Sequence, residues 1–363
     1  MSSQLDILAL EPFFGGNRRV MLESLIRCSR HRWLLLKLPP RRIERRLTAA
    51  AHWFAEQLSR HWIGRIDVLF TSEAMNLSDL LRMTPELAKK PSVVYFHSNQ
   101  LPLPGEDAKS ALDLVNLGTA NAASEIWFNS LFHLRSFLAR ATALVDRHPE
   151  LSSRNPLPDI AGKAHVMPPP VDLASIHALT ESGERPPRDK RTIFVETRDA
   201  DVKLLNAALS VLTRRGERFQ IVTIGPVEEL APDLPRTTLS EKDDTGQARA
   251  LLGAGVFLST KTGATHDHHC MRALAAGCWP VLPDGCVYAD IIPESVRSST
   301  CYDPTPQTLA SRIQDAWHLA RPDGWESELQ QAVKTFDPIA ACKAMDQRLE
   351  ELAIIHTVNG HRS

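Results

Sequence analysis

The sequence lacks several features that mark membrane, secreted and zinc-binding proteins. It contains no apolar run of the roughly 18 residues that would favour a membrane span. The six cysteines show no CxxC spacing, which is typical of reduced cytosolic thiols rather than of a disulfide framework or a zinc ribbon. The first sixteen residues have no basic lead and no long apolar core, so we expect no signal peptide and a cytoplasmic protein.

The chain also lacks an excess of either charge, because 42 Lys and Arg residues balance 43 Asp and Glu residues. The whole molecule is therefore no obvious polyanion binder. Residues 27–46 depart from this balance, with eight basic residues and a single acid, Glu44. A basic face here can hold the phosphates of a nucleic acid, and a solvated arginine-rich helix surface is the alternative. The candidate nucleic-acid contacts are Arg41, Arg42, Arg45 and Arg46.

A chain of 363 residues indicates about two domains. Short apolar runs such as "WLLLKL" and "SVVYFH" alternate with helical patterns, and the alternation restarts at "TIFVE" after a polar, proline-containing stretch. Runs that are continuously apolar are typical of parallel strands buried on both faces. We therefore predict an α/β protein with two Rossmann-like doubly wound domains. The predicted domains are 1–175 and 192–335, with a linker at 176–191 and a final helical segment at 336–363.

In such sheets, ligands bind at the carboxyl ends of the strands, which places candidate residues just after strand-like runs. Gly15 and Gly16, followed by Asn17, come between the first strand and a helix, where backbone amides can approach a ligand. His97 ends the strand "VVYFH" and is followed by Asn99 and Gln100. A neutral imidazole there can bond a sugar hydroxyl or act as an acid or base, and a structural histidine is the alternative.

Five segments of the chain together resemble one protein family. They are "ILALEPFFGGNRR", "SEAMNLSDLLRMTPEL", "VVYFHSNQLPLP", "FNSLFHLRSFL" and "CWPVLPDGCVYADIIPE". The chain resembles the glycosyltransferase-like family with the two-domain GT-B fold that includes the tRNA-queuosine mannosyltransferases. This resemblance implies two domains facing across a cleft, and a final helix that packs back on the N-terminal domain. It also implies transfer of mannose from GDP-mannose to queuosine in tRNA(Asp) with retention, and it implies no cofactor.

The resemblance also assigns roles to residues of this chain. Arg198 and Lys203 resemble the cations that bind the donor diphosphate in this fold. His97, at the end of its strand, is the candidate catalytic residue. The family usually has a Glu where this chain has Ser98 and a His where it has Arg18. Retaining enzymes of this fold usually carry two glutamates, which would fall at Ala264 and Arg272 here. Because both are absent, the donor pocket is expected to be altered.

A histidine-rich stretch occupies this altered pocket in the sequence. One hypothesis is that His266, Asp267, His268 and His269 bond the donor sugar or nucleotide, with Arg272 aimed at phosphate. A second is that transfer activity is lost and a tRNA- or sugar-nucleotide-binding protein is left. A third is a metal site, but H-D-H-H-C lacks a familiar ligand spacing, so we predict no metal. The sequence is silent on the oligomeric state.

Overall fold

The computed structural model describes residues 4–61, 64–103, 106, 113–148 and 155–360. The chain forms two compact units. The first unit contains residues 1–170 and 338–363, and the second contains residues 171–337. Each unit has its own six-stranded parallel sheet, which confirms the predicted α/β architecture with two doubly wound sheets.

The sheet of the first unit has the strand order β2-β1-β3-β4-β5-β6. Its strands are β1 (Asp6–Glu11), β2 (Arg32–Lys37), β3 (Val68–Ser72), β4 (Ser92–Phe96), β5 (Glu125–Phe128) and β6 (Ala164–Val166). Its helices are α1 (Gly16–Cys28), α2 (Ile43–Arg60), α3 (Leu77–Met83), α4 (Pro85–Ala88), α5 (Asp113–Ala122), α6 (Leu131–Arg147) and α7 (Leu157–Gly162). The strands β2 and β3 lie on opposite sides of β1 in the sheet. The strand order therefore reverses between β1 and β3, which is the topological switch point.

The first sheet is buried on both faces because successive side chains of a strand point to opposite sides. In β1, Leu8 and Leu10 pack into one hydrophobic cluster, and Ile7 and Ala9 pack into another on the opposite face. The long C-terminal helix, Pro338–Gly360, belongs to this unit and contributes four buried side chains to the second cluster. They are Cys342, Met345, Leu349 and Leu352.

The sheet of the second unit has the order β12-β11-β10-β7-β8-β9. Its strands are β7 (Asp189–Glu196), β8 (Gln220–Ile224), β9 (Arg236–Leu239), β10 (Ala254–Leu258), β11 (Trp279–Pro283) and β12 (Cys301–Tyr302). Its helices are α8 (Ala174–Glu181), α9 (Val202–Arg214), α10 (Asp244–Gly253), α11 (His268–Ala275), α12 (Tyr288–Ile291), α13 (Glu294–Thr300), α14 (Pro306–His318) and α15 (Trp325–Ala332). A 3₁₀ turn at Lys334–Phe336 precedes the C-terminal helix, which is α16. The switch point of this sheet lies between β7 and β10.

The segment 176–191, interpreted from sequence as a linker, lies inside the second unit. It includes most of α8 and the first residues of β7, and α8 buries Ile176 and Leu179. Residues 181–190 are polar and mostly exposed, and they join α8 to β7. Their composition therefore resembles that of a linker between domains. Within the described part of the chain, no helix has both the length and the apolar character needed to cross a bilayer.

Candidate functional site

Two buried carboxylates flank the switch point of the first sheet. Glu11 is the last residue of β1, and Glu73 directly follows β3. Both side chains are almost fully buried, at 3% and 1% exposure. Burying a charge is costly unless it is paired, so the partners of these two groups define the site. We call Glu11 and Glu73 the acidic pair. Arg18 is the cation beside it.

Glu73 accepts hydrogen bonds from three different residues. The Arg18 guanidinium and the backbone and hydroxyl of Ser98 all donate to Oε1, with distances of 3.1 and 3.0 Å for the two groups of Ser98. The backbone N–H of His97 donates to Oε2 at 3.2 Å. Four donors hold this carboxylate in place, and it in turn fixes the backbone after β4 and the first turn of α1. Ser98 and Arg18 thus form one contact network at the two positions where the family pattern differs.

Glu11 is held by different donors and has an unusual proton affinity. Its Oε1 accepts from the Phe13 backbone N–H at 2.7 Å and from the Ser72 hydroxyl at 3.0 Å. Burial raises the pKa of Glu11 to about 7, and the charge of Glu73 adds to the rise, although Arg18 and the two donors oppose it. Glu11 therefore changes its protonation near neutral pH.

The predicted residues His97, Asn99 and Gln100 lie at the same edge of the sheet, after β4. The ring of His97 lies 4.7 Å from that of Tyr95, and its carbonyl accepts from Asn129 at 3.0 Å. Asn99 Nδ2 lies 3.2 Å from His133 Nε2, and the backbone N–H of Gln100 donates to Asn116 at 2.7 Å. These bonds hold the loop that carries His97, so its backbone has a fixed position beside the acidic pair.

The glycine turn after β1 is required by the backbone. Gly16 has a φ of +53°, and a side chain on Gly15 would meet Pro40 Cγ at 2.6 Å. Both positions therefore favour glycine for conformational and steric reasons, whether or not a ligand binds there. Asn17 is exposed in the first turn of α1, between this turn and Arg18.

The predicted basic residues surround the start of α2, at the carboxyl end of β2. Arg41 and Arg42 precede the helix, Arg45 lies in its first turn, and all three are exposed. Arg46 donates to the Pro39 carbonyl at 3.0 Å. Elsewhere in the tract, Arg30 pairs with Glu350 and Arg32 pairs with Asp6. Among the described residues, no ion pair involves the four predicted arginines, so their charge stays available at the edge that carries His97.

The second unit carries the predicted diphosphate-binding cations. The backbone N–H of Arg198, two residues after β7, donates to Glu196 Oε1 at 2.7 Å, and its guanidinium pairs with Glu241. Both partners of that ion pair are more than half exposed, so a phosphate can compete for the guanidinium. Lys203 is exposed in the first turn of α9. The N-cap of this helix is Asp201, whose side chain accepts from Leu204 N at 2.9 Å.

A second lysine lies at the switch point of this sheet. Lys261, three residues after β10, forms a mostly buried ion pair with Glu196. Burial alone would lower the pKa of Lys261, but the carboxylates of Asp267 and Glu196 raise it. Asp267 also accepts from the Tyr288 hydroxyl at 2.7 Å and caps α11 through the Cys270 N–H at 3.1 Å. The charged network therefore fixes the loop that carries the histidines.

The three histidines lie together but stay neutral at neutral pH. The rings of His268 and His269 are 3.9 Å apart, and those of His266 and His268 are 6.5 Å apart. Burial lowers the pKa of His266 to about 4, and burial is also the main cause that lowers the pKa values of His268 and His269 well below the ordinary value. Neutral imidazoles can bond a sugar or nucleotide. Within the described ranges, no group of three His, Cys, Asp or Glu residues is placed to hold a metal ion.

Arg272 is a buried cation on α11. Its Nη2 lies 2.7 Å from Asp244 Oδ1, and its Nη1 donates to Gln247 Oε1 at 3.3 Å. Arg272, Lys261 and Arg198 all lie close enough to His269 for their charges to lower its pKa, after the larger effect of burial. The charges of Arg198 and Arg272 thus both act on His269. Within the described part of the chain, Lys203 has no hydrogen bond or ion pair with these residues.

Glu11, Glu73 and Lys261 were missing from the residues singled out by sequence. The available signal was a charged residue at the end of a buried strand or within three residues of it, as in "DILALE" and "VLFTSE". That pattern alone cannot show that β1 and β3 are neighbours, which is what brings the two carboxylates together.

Solved structures share this architecture over nearly the whole chain. The catalytic domain of starch synthase IV from Arabidopsis thaliana, bound to ADP and acarbose, has a TM-score of 0.67 and 10% identity, with 98% of this chain and 99% of that chain covered. Sucrose-phosphate synthase from Thermosynechococcus elongatus has a TM-score of 0.64 and 14% identity, with 96% and 99% covered. The molecule therefore has the GT-B fold of glycosyltransferases.

Sequence comparisons narrow this class to one family. Residues 6–171 match the family description "tRNA-queuosine alpha-mannosyltransferase N-terminal". The tRNA-queuosine alpha-mannosyltransferase of Drosophila melanogaster is 26% identical over 312 residues, which cover 79% of this chain and 82% of that protein. The chain is therefore similar to the tRNA-queuosine mannosyltransferases, in its first unit by the family match and over most of its length by this relative.

Proposed function

We propose that the protein transfers mannose from GDP-mannose to queuosine in tRNA(Asp), with retention of configuration. The observation that carries the proposal is the match to the Drosophila tRNA-queuosine alpha-mannosyltransferase across most of both chains. In the proposed reaction, the first unit binds tRNA and the second unit binds the nucleotide sugar. We propose a cytoplasmic location because the acceptor is a tRNA.

The basic residues of the first unit support a tRNA acceptor. Arg41, Arg42 and Arg45 are exposed beside the carboxyl edge of the sheet, where His97 and the acidic pair lie. Phosphate contacts position a nucleic acid, and side chains beyond them read the target base. In this proposal the arginines hold the tRNA backbone, and the queuosine nucleoside reaches the Gly15–Gly16 turn and His97, which bonds or deprotonates the acceptor hydroxyl.

The cations of the second unit support a diphosphate leaving group. Arg198 and Lys203 are exposed at the carboxyl end of β7, and fixed positive charge there stabilises the negative charge that develops on the departing GDP. In this proposal the neutral His266, His268 and His269, whose rings lie near one another, bond the sugar or the nucleotide. The proposed reaction needs no cofactor and no metal, because the two cations neutralise the diphosphate.

A second candidate function is binding of tRNA or a sugar nucleotide without transfer. It is favoured by one observation, which is that Ala264 and Arg272 stand where retaining enzymes of this fold usually have glutamates. Transfer to a different acceptor is a further alternative.

The test is to incubate the protein with GDP-mannose and tRNA that contains queuosine, and then to analyse the nucleosides by mass spectrometry. The proposal predicts a mannosylated queuosine and an equal amount of GDP, and no product with tRNA that lacks queuosine. Binding of tRNA without product or GDP release would support the non-catalytic alternative. Product on queuosine-free tRNA, or GDP release with another acceptor, would contradict the proposed acceptor.

A further inference from the structure

A group of arginines lies at the amino edge of the second sheet. Arg188 directly precedes β7 and donates to the carbonyl of Ala276, just before β11, at 2.6 Å. Arg321 follows α14 and donates to the carbonyl of Gly255 in β10 at 3.2 Å. Parallel strands begin at one edge of a sheet and end at the other, and the residues proposed to bind the nucleotide sugar follow the ends. This group is therefore separate from them.

The arginines face a single carboxylate. Glu326 Oε1 lies 3.3 Å from Arg185 Nη2 and 3.7 Å from Arg188 Nη2. Both distances exceed the roughly 2.7–2.9 Å of a close bond between a guanidinium and a carboxylate, so Glu326 is held loosely. Within the described part of the chain, Arg321 forms no ion pair. The group therefore keeps an excess of positive charge.

The carboxylate of Glu326 occupies a space that depends on a glycine. Gly277 has a φ of +81°, and a Cβ at this position would collide with Glu326 Oε1 and lie 3.0 Å from Arg188 Nη2. The backbone thus leaves room for an anionic oxygen beside the Arg188 guanidinium. The side chain of Glu326 is 40% exposed, so it can move into solvent and leave this space to an external anion.

Two buried hydrogen-bond donors of the group have no acceptor. Nη1 of Arg188 and Nε1 of Trp279 make no hydrogen bond among the described residues. Trp279 is 3% exposed, and the guanidinium of Arg321 lies 5.2 Å from its ring centre. Buried donors without acceptors cost free energy, so the group favours a ligand that carries several acceptor oxygens.

Two aromatic rings hold the third arginine in place. The Arg321 guanidinium lies 4.7 Å from the ring centre of Trp325, and the rings of Trp325 and Trp279 are 5.1 Å apart. Stacking on aromatic faces orients a guanidinium in advance of binding. Burial lowers the pKa values of Arg188 and Arg321, and the charge of a neighbouring arginine lowers each of them further. An added anion would relieve this repulsion.

We propose that Arg185, Arg188 and Arg321 form a phosphate-binding site at the amino edge of the second sheet. The Glu326 carboxylate marks the position that a phosphate oxygen takes. A phosphate group carries more acceptor oxygens and more negative charge than a carboxylate, which suits the unpartnered donors and the excess positive charge. The phosphate can be a free ion or part of an RNA backbone. The assignment goes beyond the proposed transfer reaction and does not depend on it.

Calorimetric titration of the full chain with inorganic phosphate at constant ionic strength tests the site. Arg188→Gln should weaken phosphate binding by at least about tenfold, because a charge-assisted hydrogen bond is lost. Glu326→Gln should strengthen it by about threefold or more, because the internal anion no longer competes. Arg214→Gln, an exposed residue at the end of α9, is the control. The same changes are expected in an Arg198→Ala background, which excludes binding at the proposed diphosphate site as their cause.

Filter binding of tRNA identifies the source of the phosphate. If it belongs to RNA, Arg185→Gln should weaken tRNA binding and reduce the slope of log affinity against log salt by about 1. If the ligand is a free phosphate, Arg185→Gln should weaken binding of inorganic phosphate and leave tRNA binding unchanged.

The outcomes separate the phosphate site from the proposed function. Failure of both the wild type and Glu326→Gln to bind phosphate would overturn the site, as would equal binding by wild type and Arg188→Gln. Either result would leave the proposed transfer reaction standing. Absence of mannose transfer together with the expected phosphate binding would contradict the proposed function alone.

Discussion

Glu11 provides a quantitative prediction about stability and pH. Its pKa rises from 4.5 to about 7 in the folded protein, mainly because the side chain is buried. At roughly 1.4 kcal/mol for each pH unit, this rise corresponds to about 3 kcal/mol. Above pH 4.5 the unfolded chain has released the proton and the folded chain still holds it, so stability falls as the pH rises toward 7 and is constant beyond it.

Glu11→Gln removes this proton-linked loss while keeping an oxygen for the Phe13 N–H and the Ser72 hydroxyl. The free energy of unfolding of the variant, relative to wild type, should therefore increase by about 3 kcal/mol or less between pH 4 and pH 8. Most of the change should fall between pH 4.5 and 7.

Hydrogen exchange of the β1 amides at a series of pH values measures this quantity within the first unit. Glu44→Gln, an exposed residue of α2, is the matched control substitution. A constant difference for Glu11→Gln across the range would refute the reasoning, as would a difference that falls with rising pH.

Three further predictions concern other parts of the molecule. Lys261→Met should destabilise the second unit by about 3–5 kcal/mol, because it leaves the buried carboxylates of Glu196 and Asp267 without their cation. Calorimetric unfolding measures this loss, and an unchanged stability would contradict the importance of the ion pair. The double substitution Arg41→Ala with Arg45→Ala should weaken tRNA binding and reduce the slope of log affinity against log salt by about 2. Filter binding measures the affinity and the slope, and Arg82→Ala should change neither. Transfer activity should survive treatment with EDTA followed by dialysis, and loss of activity that returns with a divalent cation would contradict the proposed cation-only neutralisation of the diphosphate.

The fold could be predicted from the sequence because each local signal agreed with the others. Apolar runs such as "VVYF" and "VFL" are continuous since their strands are buried on both faces, and both runs form central strands of the parallel sheets. The position of His97 at the carboxyl end of β4 followed directly from this pattern.

The contacts within the candidate site could not be predicted in the same way. Glu11 and Glu73 are separated in the chain by two helices and two strands, and only the pairing of β1 with β3 brings them together. The pairing of Arg272 with Asp244 likewise depends on the packing of α10 against α11, which no local pattern specifies. The exposed 181–190 segment resembles a linker in composition, although it connects two elements of the same unit.

The central claim is that the guanidinium after β7 binds the diphosphate of the donor. Calorimetric titration with GDP-mannose of wild-type protein, Arg198→Ala and the control Arg214→Ala, an exposed residue at the end of α9, tests it most directly. We expect wild type and the control to bind alike, and Arg198→Ala to lose at least about tenfold in affinity, as for a charge-assisted hydrogen bond to phosphate. Unchanged binding by Arg198→Ala would contradict the claim.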